Sequence, residues 1–164
     1  MYDFIAIGDV VTAAFIELEE KEAEVEREDG LTKLCMIFGD KIPYKDVHII
    51  PGVGNSSNAA VSASRLGLKT ALVSNIGNDY FGRECLEALK KEGLGIEFIR
   101  PHEGKKTNYH YVLLYKGERT ILIKHEKFAY DLPDIGKPRW IYLSSLSADS
   151  LSFHLVIEKY LNDN

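Results

Sequence analysis

The chain has 164 residues, 45% of them apolar and 27% charged, the values of an ordinary globular domain that can bury roughly 70% of the surface its unfolded form exposes. Thirteen glycines and five prolines exclude collagen-like and disordered classes. A formal charge of −5 gives no electrostatic footprint for DNA or RNA and no attraction to anionic lipid, so neither is expected as a partner.

Two cysteines, Cys35 and Cys85, show no CxxC spacing and no metal-type cluster, and read as reduced thiols in a cytoplasmic protein. Asp3 stands where a signal peptide carries Lys or Arg, and no run approaches the roughly 18 apolar residues of a spanning helix. A soluble, cytoplasmic chain is expected.

Residues 2–8 form a short apolar run ending on Gly8, suited to the interior of a parallel sheet covered on both faces. A second apolar run follows over 10–18. The charge block from Glu17 to Asp29 is expected to be a solvated hairpin turn or loop. Residues 31–44 and 45–51 predict further strands separated by turns at Gly39-Asp40 and Pro43. A helix is expected over 55–67, with small side chains at Ala59, Ala60 and Ala63, then Leu66, and Gly67 as a left-handed cap. Residues 70–77 predict a strand. A second helix over 78–93 takes Asn78 as N-cap, places Phe81, Cys85 and Leu89 on one stripe, and stops at Gly93. With a strand over 95–101, this alternation predicts right-handed crossovers and a largely parallel sheet.

The runs 107–115 and 119–125, joined through Lys116-Gly117-Glu118, predict an antiparallel hairpin. It belongs with residues 12–18 and 31–50 in a small separate sheet projecting from the core. Residues 140–145 return as a core strand, and 151–161 start another helix.

The turn PGVGNSS follows a strand and opens a helix. Gly52, Gly54 and Ser57 occupy the three places of G-x-G-x-x-G, but the last glycine is missing, and a dinucleotide fingerprint belongs on the first strand. Lys106 stands where a Walker A motif needs Ser or Thr after its lysine. His48, His102, His110, His125 and His154 show no metal-ligand spacing and read as surface or hydrogen-bonded structural residues. No G-x-S-x-G surrounds Ser144 or Ser145, so a serine hydrolase has no support.

The stretch from Asn55 to Gly82 resembles the first signature of the ribokinase/PfkB family of carbohydrate kinases. Asn58, Ala60, Gly67 and Gly77 stand in the register of N-x-[STA], six residues, Gly, nine residues, Gly, followed by the family-like NDYFG. The opening FIAIGD and the hairpin with GERTIL also look like the family, so the resemblance covers nearly the whole chain. Two positions depart from it. The family's diglycine reads Val53-Gly54, and its sugar-binding aspartate falls on Ala13. The GAGD turn with the catalytic base, and the metal-associated N-x-x-E, do not occur in these 164 residues.

The resemblance implies a doubly wound, ribokinase-like α/β fold with a small projecting β-lid, and the sugar-binding half of a kinase about twice as long. Core segments are expected at about 1–10, 50–104 and 138–164, and lid segments at about 11–49 and 105–130. It carries substrate binding onto Gly54, Asn55 and Asn58, since an amide both donates to and accepts from sugar hydroxyls. Alternatively Asn55, Ser56 and Ser57 only cap the helix. Asn108 and His110, on the hairpin face opposite Tyr109 and Tyr111, either close over the sugar or face solvent. The reaction implied is transfer of the ATP γ-phosphoryl to a hydroxyl of a sugar or nucleoside. ATP and Mg2+ serve the complete enzyme; this chain alone is expected to hold neither, to bear no catalytic or metal-ligating residue, and to be inactive. A homodimer through the lid is expected. A non-catalytic sugar-binding or regulatory module, and a nucleotide-binding oxidoreductase fragment, are the competing readings.

Overall fold

The opening apolar run forms β1 (Phe4–Ile7), buried over its last three residues, as befits a strand with neighbours on both sides. The computed structural model describes residues 1–164, apart from the side chain of Asp149. After β1 come β2 (Val11–Leu18), β3 (Glu24–Glu28), β4 (Leu31–Cys35) and β5 (Tyr44–Val53). Then follow α1 (Asn55–Arg65), β6 (Thr70–Gly77), α2 (Tyr80–Lys91) and β7 (Ile99–His102). β8 (Asn108–Tyr115) and β9 (Glu118–Leu122) make a hairpin, and β10 (Trp140–Leu143) leads through a 3₁₀ turn at Ala148–Ser150 into α3 (Leu151–Asp163). Among the described residues no helix is long and apolar enough to cross a membrane.

The fold is α/β, and the chain divides into two compact units. The first comprises residues 1–12, 51–108 and 125–164. Its sheet has the order β10-β1-β6-β7, with every neighbour parallel. Alternation along the strands sends residues to opposite faces. Ala6, Leu72 and Ile76 meet Ala60 of α1 and Leu89 of α2 on one face, while Ile5, Ile7, Ala71 and Val73 meet Phe153 and Ile157 of α3 on the other. Fully buried side chains such as Ile5 and Leu72 each contribute about 1.5–3 kcal/mol by leaving water. Inside this core the Cys85 thiol accepts from the Gly52 N–H at 3.2 Å and touches the Thr12 hydroxyl at 3.4 Å.

Helix ends follow local chemistry. Gly67 and Gly93 take the left-handed conformations expected of them. The N-cap of α2 is Asp79, not Asn78: its Oδ1 accepts from the Gly82 N–H at 2.9 Å. β7 begins at Ile99 rather than residue 95, because Gly95 reaches β6 only through one bridge to Ala71.

The second unit comprises residues 13–50 and 109–124. It carries most of a sheet of order β5-β2-β8-β9, together with the two-stranded ribbon β3–β4. Part of the charge block is therefore a strand rather than a loop: Glu24–Glu28 pairs antiparallel with Leu31–Cys35, with Val25 opposite Leu34. Its turn, Asp29-Gly30, has φ of 50° and 77°, and Lys116-Gly117 between β8 and β9 has 48° and 82°. Positive φ at both central residues is the tight hairpin geometry that matches strand twist. Residues 36–43, expected as strand, lie outside any strand, and β9 stops at Leu122 instead of reaching His125. The Tyr115 hydroxyl lies against the carbonyls of Glu20, at 3.0 Å, and of Ala23, fixing the turn after β2 over a small core of Leu18, Ala23 and Tyr115.

Candidate functional site

The site is built at the start of α1. Gly54 is the N-cap, with φ 135° and ψ 163°, and a Cβ there would stand 2.7 Å from the Asp9 carbonyl oxygen. Only glycine fits. No side chain caps the helix, so the capping alternative for Asn55, Ser56 and Ser57 is not what the structure shows. Ser57 Oγ instead donates to the Gly54 carbonyl (3.1 Å), Ser56 Oγ to the Asp9 carbonyl (3.4 Å), and Asn55 Nδ2 to Ser145 Oγ (3.1 Å). The first-turn N–H groups have no intrahelical partner. Asn58 is exposed. Its backbone is engaged, with N–H donating to the Gly54 carbonyl at 2.8 Å and the carbonyl accepting from Ser62 Oγ at 2.8 Å.

Asp9 and Ser145 follow β1 and β10 at their carboxyl ends. The chain steps from β1 to β6 to β7 in one direction, then returns to place β10 on the other side of β1, so the strand order reverses between β10 and β1. Open α/β sheets bind their ligands in the crevice at such a reversal. Here Gly54 and Asn55 meet Asp9 and Ser145.

The Asp9 side chain is buried and fully occupied. Its Oδ1 accepts from the Tyr130 hydroxyl at 2.9 Å, its Oδ2 accepts from the Ser147 N–H at 3.0 Å, and His125 Nδ1 lies 3.3 Å from Oδ2. Burial pushes the carboxyl above the usual carboxylate range, against the pull of the Tyr130 hydroxyl, His125 and the Ser147 N–H. Burial first, then the negative Asp9, push the Tyr130 phenol up to about 12. The carboxylate thus ties the end of β1 to the segments at 125–130 and 145–147, and the last of these presents Ser145 to Asn55.

Asn108 reaches the same 125–130 segment through Glu126. It is buried rather than solvent-facing, its Oδ1 accepts from the Glu126 N–H at 2.7 Å, and its Nδ2 has no hydrogen-bond partner among the described residues. The adjoining Thr107 is knotted to Asp79: its Oγ1 donates to Oδ1 at 2.6 Å and its N–H to Oδ2 at 3.1 Å. A Cβ on Gly82 would collide with the Gly77 carbonyl, and one on Gly77 with the Lys105 carbonyl. The NDYFG stretch is therefore a packing device. His110 lies half-buried in the second unit, where Tyr109 and Tyr111 share a strand face with ring centroids 5.1 Å apart. His102 bonds Asn75 Oδ1 at 2.7 Å, and burial, then the Arg100 charge, hold its pKa below the ordinary histidine value.

Residue patterns missed Asp9, His125, Tyr130, Ser145 and Ser147. The available signal was their position: Asp9 and Ser145 each follow a core strand at its carboxyl end. Residues 26–156 match the pfkB family carbohydrate kinases. The chain belongs to the pfkB family. This PfkB chain is 39% identical over 104 residues to an uncharacterized sugar kinase of Pyrococcus horikoshii, covering 62% of the chain and 33% of that protein. Among solved structures, ribokinase of Cryptococcus neoformans in complex with ADP superposes with a TM-score of 0.67 at 17% identity, over 95% of this chain and 45% of that one. Arabidopsis thaliana ribokinase complexed with ribose and ATP gives 0.58 at 21% identity, over 76% and 36%. The fold is ribokinase-like. The chain spans about a third of the length of the curated relatives it matches.

Proposed function

We propose that this PfkB chain is the substrate-binding part of a kinase that transfers the ATP γ-phosphoryl to a hydroxyl of a sugar or nucleoside. Gly54, Asn55 and Asn58 hold the substrate. The observation that carries the reading is Asn58: it stands in the family register, and its side-chain amide makes no hydrogen bond to any described residue while its backbone is locked into α1. Gly54 lets substrate approach the backbone, and the Asn55–Ser145 pair offers a donor and an acceptor beside it. ATP serves as phosphoryl donor in the complete enzyme, as the ATP and ADP bound to the two ribokinases suggest. Among the described residues no group of three or more His, Cys, Asp and Glu side chains fits a metal ion. Asn108 and His110 are outside the proposed set. The second unit is taken as the lid, with exposed Ile49, Tyr111, Ile121 and Leu122 forming a homodimer surface. A cytoplasmic location fits a substrate of this class.

Thermal-shift titration against a panel of pentoses, hexoses, nucleosides and nicotinamide dinucleotides tests the reading. A sugar- or nucleoside-dependent rise is expected, independent of Mg-ATP and without turnover. Asn58→Ala should weaken it by about 1–3 kcal/mol, the scale of a lost partner in a polar site, with the unliganded melting temperature unchanged. A shift with nicotinamide dinucleotide alone would establish the oxidoreductase reading instead. An Asn58→Ala chain that binds normally would remove Asn58 from the site.

A further inference from the structure

Asn55 and Ser145 are both exposed, and among the described residues the 3.1 Å hydrogen bond between them is the one that either side chain makes. Water competes for both partners of such a pair, and its net worth is only about 0.5–1.5 kcal/mol. The pair keeps its geometry only if the backbone at Ser145 is held from elsewhere. On the near side the Ser144 N–H donates to the Ile7 carbonyl at 2.9 Å, and the Asp9 N–H reaches the Ser145 carbonyl at a long 3.5 Å. On the far side the Ser147 N–H donates to Asp9 Oδ2 at 3.0 Å. The Asp9 carboxylate is therefore the anchor two residues beyond Ser145.

What aims that carboxylate lies outside the crevice. Its two oxygens share a plane, so holding Oδ1 fixes the direction of Oδ2. The Tyr130 hydroxyl donates to Oδ1 at 2.9 Å, whereas His125 Nδ1 sits 3.3 Å from Oδ2, the oxygen already given to Ser147. With its pKa pushed up to about 12, the phenol keeps its proton at any working pH. That single proton is committed to Asp9, so the Ser147 hydroxyl, 3.3 Å away, donates to the phenol oxygen. The ring is fixed in turn. It stacks on Phe153 of α3, with centroids 5.7 Å apart and planes at 28°, and Phe153 is buried against Ile5 and Ile7. Among the described residues the Tyr130 hydroxyl bonds to Asp9 and Ser147, and not to Gly54, Asn55 or Asn58.

We propose that Tyr130 is a positioning residue of the substrate site: through the Asp9 carboxylate it sets the backbone at 145–147 and aims the Ser145 hydroxyl at Asn55. Without the Tyr130 hydroxyl, Oδ1 loses its donor, the carboxylate is free to turn, and its hold on the Ser147 N–H loosens. A site is only as well ordered as the shell that supports its side chains, and here that shell reaches the hydrophobic core through one phenol. The role rests on the substrate-site reading above, because the pair that Tyr130 aims is the pair assigned there to substrate.

Tyr130→Phe tests it, since the ring keeps its stack on Phe153 and only the hydroxyl is lost. The Asn55 side-chain amide, followed by heteronuclear NMR and assigned by its loss in Asn55→Asp, reports directly on the bond to Ser145. In Tyr130→Phe its protons are expected to move upfield and to exchange faster with water. Affinity for whichever of D-ribose, D-fructose and adenosine binds the parent chain should fall about two- to tenfold, the scale of one hydrogen bond. A lowered melting temperature with the Asn55 amide unmoved makes Tyr130 a packing residue and overturns the proposal. So does a displaced amide at unchanged affinity, because the aim of Ser145 is then immaterial to substrate. Asp9→Asn sets an NH2 group against one of the two donors and should displace the Asn55 amide in the same sense; it decides the matter if Tyr130→Phe does not fold. Should the parent chain bind none of the three compounds, the substrate-site reading falls, and the Asn55 amide alone decides whether Tyr130 positions the pair.

Discussion

Asp79 accepts three hydrogen bonds, one from the first turn of α2 and two from Thr107, a residue 28 positions away. Burial pushes its pKa up, but the Thr107 hydroxyl, the Thr107 N–H and the Gly82 N–H outweigh this and hold the carboxyl below the usual range. A depressed folded pKa means stability fully present above the unfolded value, about 3.9, and lost as pH falls through the lower folded one. Asp79→Ala should therefore cost about 1–3 kcal/mol at pH 7, the sum of a lost cap and an orphaned N–H. Urea denaturation at pH 7 and pH 3 checks it: the gap between wild type and variant should narrow at the lower pH, and a gap that widens refutes the assignment. Asn58 was legible in the sequence because a spacing pattern carries it. Asp9 and Ser145 were not, because only the pairing of β1 with β10 brings them to Gly54 and Asn55.

Among the elements, α1 depends on a turn that only glycine completes. Gly54→Ala places a methyl against the Asp9 carbonyl at a φ that L-residues avoid, and should destabilise by about 1–3 kcal/mol. A denaturation midpoint equal to wild type would show that the turn relaxes freely. Both helices were legible through their stripes and terminal glycines. The N-cap of α2 was not, since Asn78 and Asp79 are equally good caps locally and the choice falls to Thr107. The Asp29-Gly30 pair signalled the β3–β4 hairpin, but its glutamates read as solvated loop because an exposed ribbon buries too little to show alternation.

For the molecule as a whole, the α/β class and parallel sheet followed from alternating strands and helices. The order β10-β1-β6-β7 did not, because nothing local chooses the side of β1 on which a late strand lands. The second unit's exposed apolar side chains predict a dimer by light scattering at micromolar concentration, which Ile121→Lys with Leu122→Lys should convert to monomer. Both positions are exposed on an edge strand, so a dimer that persists moves the interface elsewhere.

The pairing of Phe4 with both Thr70 and Trp140 also sets a timetable for synthesis. β1 leaves the ribosome before either neighbour: its inner partner Thr70 is made 66 residues after Phe4 and its outer partner Trp140 136 residues after it. Ile5 and Ile7 wait longer still, for α3 to cover them. Contacts so distant along the chain fold slowly, because the intervening loop must be closed before any pairing rewards it. At roughly 5–20 residues per second of translation, β1 lacks its outer neighbour for roughly 7–27 seconds, an interval in which the nascent chain exposes an apolar strand that a chaperone can cover.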